Sequence, residues 1–473
     1  MLQIERRIAK GVAAVATFDQ NIFRAYDIRG NTQSSLTPSV AKLVGLAFGS
    51  YLKKFNEHTA VVGRDNRYSS PELQKALCDG ILATGSNVID IGQVITPVFY
   101  YAQKLFGIGS GVMVTGSHNP PEDNGFKITV GGNTLFEEQI QELKNIILKN
   151  QYLLEDRGKY ELRPVTDTYV NMLQKKITLG KRKIKIVVDA GNGTASDFAP
   201  PLLEALGCQV IPLYCHPDPS FPHHHPDPVD PKNLVDLQQK VLAEKADLGI
   251  AYDGDGDRIG VVDDQGNILW GDQLMILYWR EILPRYPGST ALVEVKCSQA
   301  LIDEIVRLGG KPVFSRTGHS LIKNLMKKTG SIFTGEMSGH MFFADEYYGY
   351  DDALYATLRL LRILSQTSLP LSQLLQDIPQ YYATPETRVP CPDEVKFNLV
   401  DEIKKELSPR YPVITVDGVR VQFPYGWGLV RASNTQPVLV LRCEAISPEK
   451  LLVVKQFFST LLLKKLQIEH IYW

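Results

Sequence analysis

"TAVVGRDNRYSSPELQKALCDGILATGSNVIDIG", residues 59–92, opens on a β-branched run, passes a polar turn, continues with apolar residues at helical spacing, and ends on Gly85 and a second apolar run. That order reads as strand, helix, helix-stopping glycine and strand, the unit of mostly parallel sheets with right-handed crossovers. The same order recurs in "IKIVVDAGNGTASDFAPPLLEALGCQVIPLY" (184–214) around Gly207 and in "TALVEVKCSQALIDEIVRLGGKPVFSR" (290–316) around Gly309. The copies lie more than 100 residues apart, which makes them related domains and not a solenoid. Domains are expected at 1–163, 164–265 and 266–378. The stretch "DIPQYYATPETRVPCPDE" (377–394) carries four prolines in eighteen residues, a linker composition. Beyond it, two hairpin-like strand pairs with a helix on each side read as a fourth domain, 379–473. The expected class is α/β: three related mixed α/β domains with mostly parallel sheets, plus a smaller C-terminal α+β domain.

A chain of 473 residues calls for several domains, since single cores stop growing near about 250–300 residues. Charged residues make up 22% and apolar ones 44%, with 51 basic against 52 acidic side chains. That balance excludes a disordered chain and a basic nucleic-acid surface, and points to a small-molecule partner. Six scattered cysteines without a CxxC pair suit reduced thiols in the cytoplasm. At the N-terminus, "GVAAVA" is too brief for a signal-peptide core. The C-terminal "LLVVKQFFSTLLLKKL" is interrupted by Lys, Gln and Ser and reads as an amphipathic packing helix, so no membrane partner is expected.

Four loops carry candidate chemistry. In "VTGSHNPPEDNGFK" (114–127), the apolar run "GVMV" delivers Ser117 to a strand's tip, where loops tend to hold function. Alone, the stretch favours a solvated turn, because one Ser-His pair is common and His118 is too close in sequence to promise the geometry of nucleophile and base. "AYDGDGDRIG" (251–260) sets Asp253, Asp255 and Asp257 at alternate positions; Gly254 and Gly256 let the backbone curl so that three carboxylates converge on a hard cation such as Mg²⁺. An EF-hand is excluded, since its sixth position would be Arg258 and its flanks read as strands. Without a cation, three carboxylates this close would repel one another. In "TGEMSGH" (334–340), Glu336, Ser338 and His340 share one side if the segment is extended, offering acceptor, hydroxyl and imidazole to a polyol, although such an alternation on a turn is more often solvated than functional. In "RASNTQP" (431–437), the fork of Arg431 can grip a phosphate while Ser433, Asn434 and Thr435 supply neutral donors; an ordinary hairpin turn fits as well. "FPHHHPDP" (221–228) lacks a completing zinc set and reads as a rigid loop with structural histidines.

With a serine loop, a DGDGD loop, a GEMSGH loop and an RASNT loop in that order, one per domain, the chain resembles the α-D-phosphohexomutase superfamily over essentially its whole length. "FRAYDIRG" (23–30), "VKCSQAL" (295–301) and "TGHSLIK" (317–323), with GEMSGH, are most similar to the bacterial phosphomannomutase/phosphoglucomutase branch; the phosphoglucosamine mutase branch usually has Gln in place of Met337. The resemblance implies four domains around a central cleft in a monomer, and conversion of hexose 1-phosphate to hexose 6-phosphate, mannose or glucose, through a hexose 1,6-bisphosphate intermediate that also serves as activator. It implies that Ser117 is the phosphoserine and a metal ligand together with Asp253, Asp255 and Asp257, holding one Mg²⁺ per chain. His118, Lys127, Arg258 and His340 match catalytic positions, with Lys127 and His340 as candidate general bases. Tyr26, Arg29, Lys296, His319, Glu336, Ser338 and His340 match sugar-phosphate contacts, and Arg431, Ser433, Asn434 and Thr435 the clamp on the phosphate not transferred. Phosphoglucosamine mutase and a serine-dependent metallophosphatase are the alternatives. Family members commonly carry Tyr where Asp123 stands here, an extra carboxylate that either weakens phosphate affinity or faces solvent.

Overall fold

The computed structural model describes residues 18–433, 436–466, 468 and 470–473. Asn434 and Thr435, and the N-terminal segment containing "GVAAVA", lie outside the described residues. The chain forms two compact units, the first comprising the described residues up to Trp270 with Ser338–Gln373, the second Gly271–Met337 with Leu374–Trp473.

All three repeats fold as read. Strand Thr59–Arg64, helix Ser70–Ala83 and strand Asn87–Gln93 form the first, Lys185–Asp189, Ala199–Ala205 and Gln209–Leu213 the second, Thr290–Glu294, Gln299–Arg307 and Lys311–Ser315 the third. Each strand pair is parallel. The glycine after each helix, Gly85, Gly207 or Gly309, takes a positive φ of 76°, 87° or 79°, which ends the helix without a Cβ penalty.

The motif loops give the sheets their mixed character. The first sheet runs Ile28–Asn31, Asp123–Val130, Gly111–Val114, Thr59–Arg64, Asn87–Gln93, Tyr160–Leu162. Its strand Gly111–Val114 lies parallel to Thr59–Arg64 but antiparallel to Asp123–Val130, because the serine loop is short enough to fold the chain straight back. In the second sheet the aspartate loop does the same between Leu248–Tyr252 and Ile259–Asp263. In the second unit, Arg431 and Ala432 end strand Gly426–Ala432, which pairs antiparallel with Val438–Ala445 in a six-stranded antiparallel sheet. Helices Asp393–Leu407 and Pro448–Leu466 bury Leu399, Ile403, Val454, Phe458 and Leu462 in one core with that sheet, so the C-terminal helix packs as expected. No helix among the described residues is long and apolar enough to cross a membrane.

The proline-rich stretch is not a free linker. Tyr382–Ala383 and Thr387–Pro390 both pair with Val438–Ala445. Pro390 is tolerated because it closes a short outer strand, where a missing N–H breaks no ladder.

Residues 338–373 group with the first unit through the buried helix Ala353–Ser365. Tyr252 and Thr357 hydroxyls bond at 2.8 Å, and Asp352 accepts from Tyr169 and Tyr347 at 2.8 and 2.6 Å. Arg359, fully buried, donates both arms of its fork to Asp345 at 2.9 and 3.0 Å and stacks 4.6 Å over Phe343. Removing one member of a buried ion pair strands the other charge, so Arg359→Leu should cost about 3–5 kcal/mol. The denaturation midpoint reads that loss, and adding Asp345→Asn should recover part of it.

Candidate functional site

In the first unit, strand Gly111–Val114 leads directly to Ser117, whose backbone takes φ of 50°, a left-handed conformation that costs a residue with a Cβ about 1–2 kcal/mol. Thr115 Oγ1 accepts from Ser117 N at 2.8 Å. The turn aims Ser117 Oγ at the aspartate loop, where it donates to Asp253 Oδ2 at 2.8 Å, with His118 Nδ1 at 3.1 Å on its other side. A hydroxyl has one proton; with Asp253 accepting it, His118 Nδ1–H donates to Oγ. Burial, reinforced by the positive charges of Arg258 and Arg29, holds the His118 pKa well below the usual imidazole range, and the ring is neutral. Arg29 pairs with Asp27 at 2.6 Å and donates to Asn119 Oδ1 at 3.1 Å, which sets it on the serine loop. Tyr26 lies half-buried in the turn ahead of strand Ile28–Asn31.

Asp253, Asp255 and Asp257 are fully buried, and each offers an oxygen within 4.8 Å of the others. The loop folds on itself because Asp253 Oδ1 accepts from the backbone N of Asp257 and of Arg258, both at 3.0 Å. Its two glycines act differently. Gly256 takes the expected positive φ, 70°, whereas Gly254 is required by close approach: a Cβ there would lie 2.3 Å from the Ser117 carbonyl oxygen. Asp255 Oδ2 accepts from Thr96 Oγ1 at 2.5 Å and from Lys127 Nζ at 2.7 Å, and Lys127 also pairs with Asp257. Burial opposes the Lys127 charge, but Asp255 and Asp257 outweigh it and hold the pKa well above the ordinary lysine value. Burial and the charges of Asp257 and Asp255 push Asp253 well above the usual carboxylate range. Oδ1 of Asp255 and Oδ1 of Asp257 are buried without a hydrogen bond. Convergent, unsatisfied, hard oxygen donors fit a divalent cation of the magnesium or calcium type.

Arg258 Nε donates to His340 Nε2 at 3.0 Å. His340 Nδ1 lies 3.2 Å from Asp351 Oδ2 and 3.5 Å from Asp257 Oδ1, so the imidazole sits on the aspartate loop. The extended GEMSGH segment anticipated from alternation does not form. Residues 337–339 turn, Gly339 takes φ of 88°, and its carbonyl accepts from Ile259 N at 3.1 Å. Glu336 belongs to the second unit, while half-buried Ser338 and buried His340 belong to the first.

The second unit gathers Lys296, His319, Glu336 and Arg431 through two carboxylates that no sequence motif marked. Fully buried Glu294 accepts from Thr317 Oγ1 at 2.7 Å and Met337 N at 2.8 Å, and its Oε1 lies 3.2 Å from Lys296 Nζ. Asp417 Oδ2 accepts from Arg431 Nε at 3.0 Å and from Thr317 N at 3.1 Å. Glu336 accepts from Gly318 N at 2.7 Å, next to buried His319 at the start of helix His319–Thr329. Ser433 Oγ accepts from Gln436 N at 3.2 Å and shapes the hairpin turn. Apart from the local Glu294–Lys296 and Ser433–Gln436 contacts, each link spans 14 to 100 residues, so only the fold shows it.

The carboxylate of Asp123 accepts from Asn119 Nδ2 at 3.3 Å, which makes it a brace across the serine loop. Among the triple histidines, His224 bonds Asp189 at 3.0 Å, and His223 stacks on Tyr214 at 3.8 Å and contacts Asn192 at 2.8 Å, in keeping with structural roles. All six cysteines are free.

The chain matches four domain families in order: "Phosphoglucomutase/phosphomannomutase, alpha/beta/alpha domain I" over residues 20–153, domain II over 167–266, domain III over 270–382, and the C-terminal domain over 386–460. It is 47% identical over 447 residues to a phosphomannomutase/phosphoglucomutase of Pseudomonas aeruginosa, covering 94% of this chain and 96% of that one. It is 43% identical over 435 residues to a phosphoglucomutase of Neisseria meningitidis, covering 91% and 94%. A crystal structure of a phosphoglucomutase/phosphomannomutase family protein from Burkholderia thailandensis superposes with a TM-score of 0.91 at 41% identity, covering 97% of this chain and all of that one.

Lys296 also pairs with Glu386 at 3.0 Å, and its charge, working against burial, draws the Glu386 pKa down from 4.5 to about 2. A carboxylate depressed in the folded state stabilises above its unfolded pKa and loses that contribution as pH falls through the folded value. Glu386→Gln should therefore melt below the parent at pH 6–7, with the two melting temperatures converging between pH 4.5 and about 2. A constant offset across that window would show that the pair does not stabilise the second unit.

Proposed function

This chain belongs to the phosphoglucomutase/phosphomannomutase family, and from that premise we propose that it interconverts hexose 1-phosphate and hexose 6-phosphate of mannose or glucose through a phosphorylated Ser117 and a hexose 1,6-bisphosphate. The contact of Ser117 Oγ with Asp253 Oδ2 at 2.8 Å, at the edge of three buried carboxylates, carries the reading. Domains 1–163, 164–265, 266–378 and 379–473 supply in turn the phosphoserine, the metal loop, the sugar site and the phosphate clamp. We place the protein in the cytoplasm as a monomer, one chain carrying every required group; its free thiols suit a reducing compartment.

Phosphoryl transfer asks for positioning and for positive charge around the moving group. Lys127, held protonated by its two carboxylates, and Arg258, steadied by His340, supply fixed charge beside Ser117. Neutral His118 donates to Oγ and steadies it for in-line transfer. Asp253, Asp255 and Asp257 would hold one Mg²⁺, with an oxygen on Ser117 completing the set; when bound, the ion neutralises phosphoryl charge and orients the group. Arg29 and Tyr26 approach from the first strand's turn. Glu336, Ser338, His340, Lys296 and His319 take sugar hydroxyls. Arg431 and Ser433 take the phosphate that stays, with Asn434 and Thr435 assigned to the same clamp from sequence. Lys127 and His340 are the groups that would manage the hydroxyl proton once the carboxylates beside them are engaged by the cation.

Loss of the bisphosphate before it turns round would leave Ser117 unphosphorylated and the enzyme idle. Protein shown by intact mass to be largely unphosphorylated should display a lag in glucose 6-phosphate formation from glucose 1-phosphate, abolished by trace glucose 1,6-bisphosphate. Full initial rate without bisphosphate would overturn the phosphoserine relay.

A further inference from the structure

The tripeptide Asp65-Asn66-Arg67 follows strand Thr59–Arg64 and emerges at the sheet end where the parallel strand Gly111–Val114 delivers the serine loop. Arg67 is 1% exposed. Its guanidinium donates to four backbone carbonyls of that loop: Nη2 to Ser117 at 2.8 Å and Asn119 at 2.6 Å, Nη1 to Pro120 at 2.5 Å and Asp123 at 2.9 Å. The remaining nitrogen, Nε, is buried without a hydrogen bond and lies at ion-pair distance from Asp65 Oδ2, 3.3 Å. A guanidinium has five N–H groups, and four of them are thus spent on the backbone of the serine loop. Asp65 supplies the opposite polarity: Oδ2 accepts from Gly116 N at 3.1 Å, and Oδ1 accepts from Arg67 N at 3.1 Å and from Ser70 Oγ. The fit is tight enough that a Cβ on Gly116 would lie 2.5 Å from Arg67 Cζ.

Asn66 faces the second domain. Its Nδ2 donates to Asn192 O at 2.9 Å, its backbone N donates to Thr194 Oγ1 at 3.1 Å, and Thr194 Oγ1 donates back to Asn66 Oδ1 at 3.1 Å. Thr194 N then donates to Gly254 O at 3.0 Å, inside the aspartate loop, and Gly254 is the glycine that lies against the Ser117 carbonyl. The contacts close a ring running from Ser117 through Arg67, Asn66, Thr194 and Gly254 back to Ser117.

We propose that Asp65, Asn66 and Arg67 form a positioning clamp that sets the serine loop against the aspartate loop, with the Arg67 guanidinium acting as the core of the serine loop and Asn66 as the tie to the second domain. Arg67 is thereby a positioning residue, although a buried arginine beside a phosphorylated serine would ordinarily be taken for a phosphate ligand. Its kinetic consequence rests on the mutase reading; its structural consequence does not. Lysine keeps the charge but cannot hold four carbonyls at once.

The test compares the full-length chain with Arg67→Lys and Asn66→Ala by native-state hydrogen exchange over residues 115–123, by melting temperature, and by kcat and KM on glucose 1-phosphate with bisphosphate present. Arg67→Lys should speed exchange in that loop roughly tenfold or more. It should lower kcat about a hundredfold with KM within about twofold, since misplacing reacting groups by an ångström costs that much without touching substrate. Asn66→Ala should lower kcat by about tenfold at unchanged KM, and the double variant should lose less than the product of the two. Should Arg67→Lys fail to fold, Asn66→Ala carries the kcat-against-KM comparison. A raised KM at unchanged kcat in Arg67→Lys would make Arg67 a phosphate ligand and overturn the clamp, as would unchanged loop exchange. Absent mutase turnover in the parent would sink the functional reading alone, because loop exchange still decides the clamp.

Discussion

Three carboxylates from one turn, buried and within 4.8 Å of one another, are the constraint around which the first unit is built. Like charges at that spacing in a dry site cannot all be ionised without compensation. The chain provides part of it. Lys127 reaches from strand Asp123–Val130 to two of the aspartates, Thr96 and Ser117 each add a hydroxyl, and Arg258 continues from the loop itself to His340. What remains is the pair of orphaned oxygens on Asp255 and Asp257, the feature that asks for a metal. The two loops can approach only because Gly254 carries no Cβ where it meets the Ser117 carbonyl. Catalytic geometry and backbone packing here are one problem.

The same crowding decides which groups can carry protons. His118 is kept neutral by burial and surrounding cations, whereas Lys127 is kept charged by the carboxylates that neutralise it. His340 gives Nε2 to Arg258, so its free choice of tautomer is removed and Nδ1 carries the hydrogen facing Asp351. In the proposed reaction a proton acceptor would emerge from Lys127 or His340 only if their present partners were drawn elsewhere.

Much of this was legible in the sequence because it is local. Strand, helix, glycine and strand follow from periodicity and turn chemistry within about thirty residues, and the serine, aspartate and RASNT motifs stand out as compositional breaks at strand ends. The readings that failed depended on chain direction. The alternation of Glu336, Ser338 and His340 presumed an extended backbone, but the left-handed Gly339 turns it. The proline-rich stretch has a linker composition, yet its short outer strands need few N–H donors. Glu294, Asp417, Asn66 and Arg67 escaped notice because each acts through a partner at long range: Thr317 lies 23 residues from Glu294 and 100 from Asp417, and Asn66 lies 128 from Thr194. No spacing rule reaches that far.

The central claim is that Ser117 passes its phosphoryl group to a sugar and not to water. Single-turnover transfer from protein labelled with radioactive phosphate at Ser117, quenched at intervals after mixing with unlabelled glucose 1-phosphate, examines it directly. The label should leave the protein as hexose 1,6-bisphosphate and then distribute into glucose 6-phosphate, with little inorganic phosphate. Label released as inorganic phosphate, or retained on the protein while glucose 6-phosphate forms, would contradict the account.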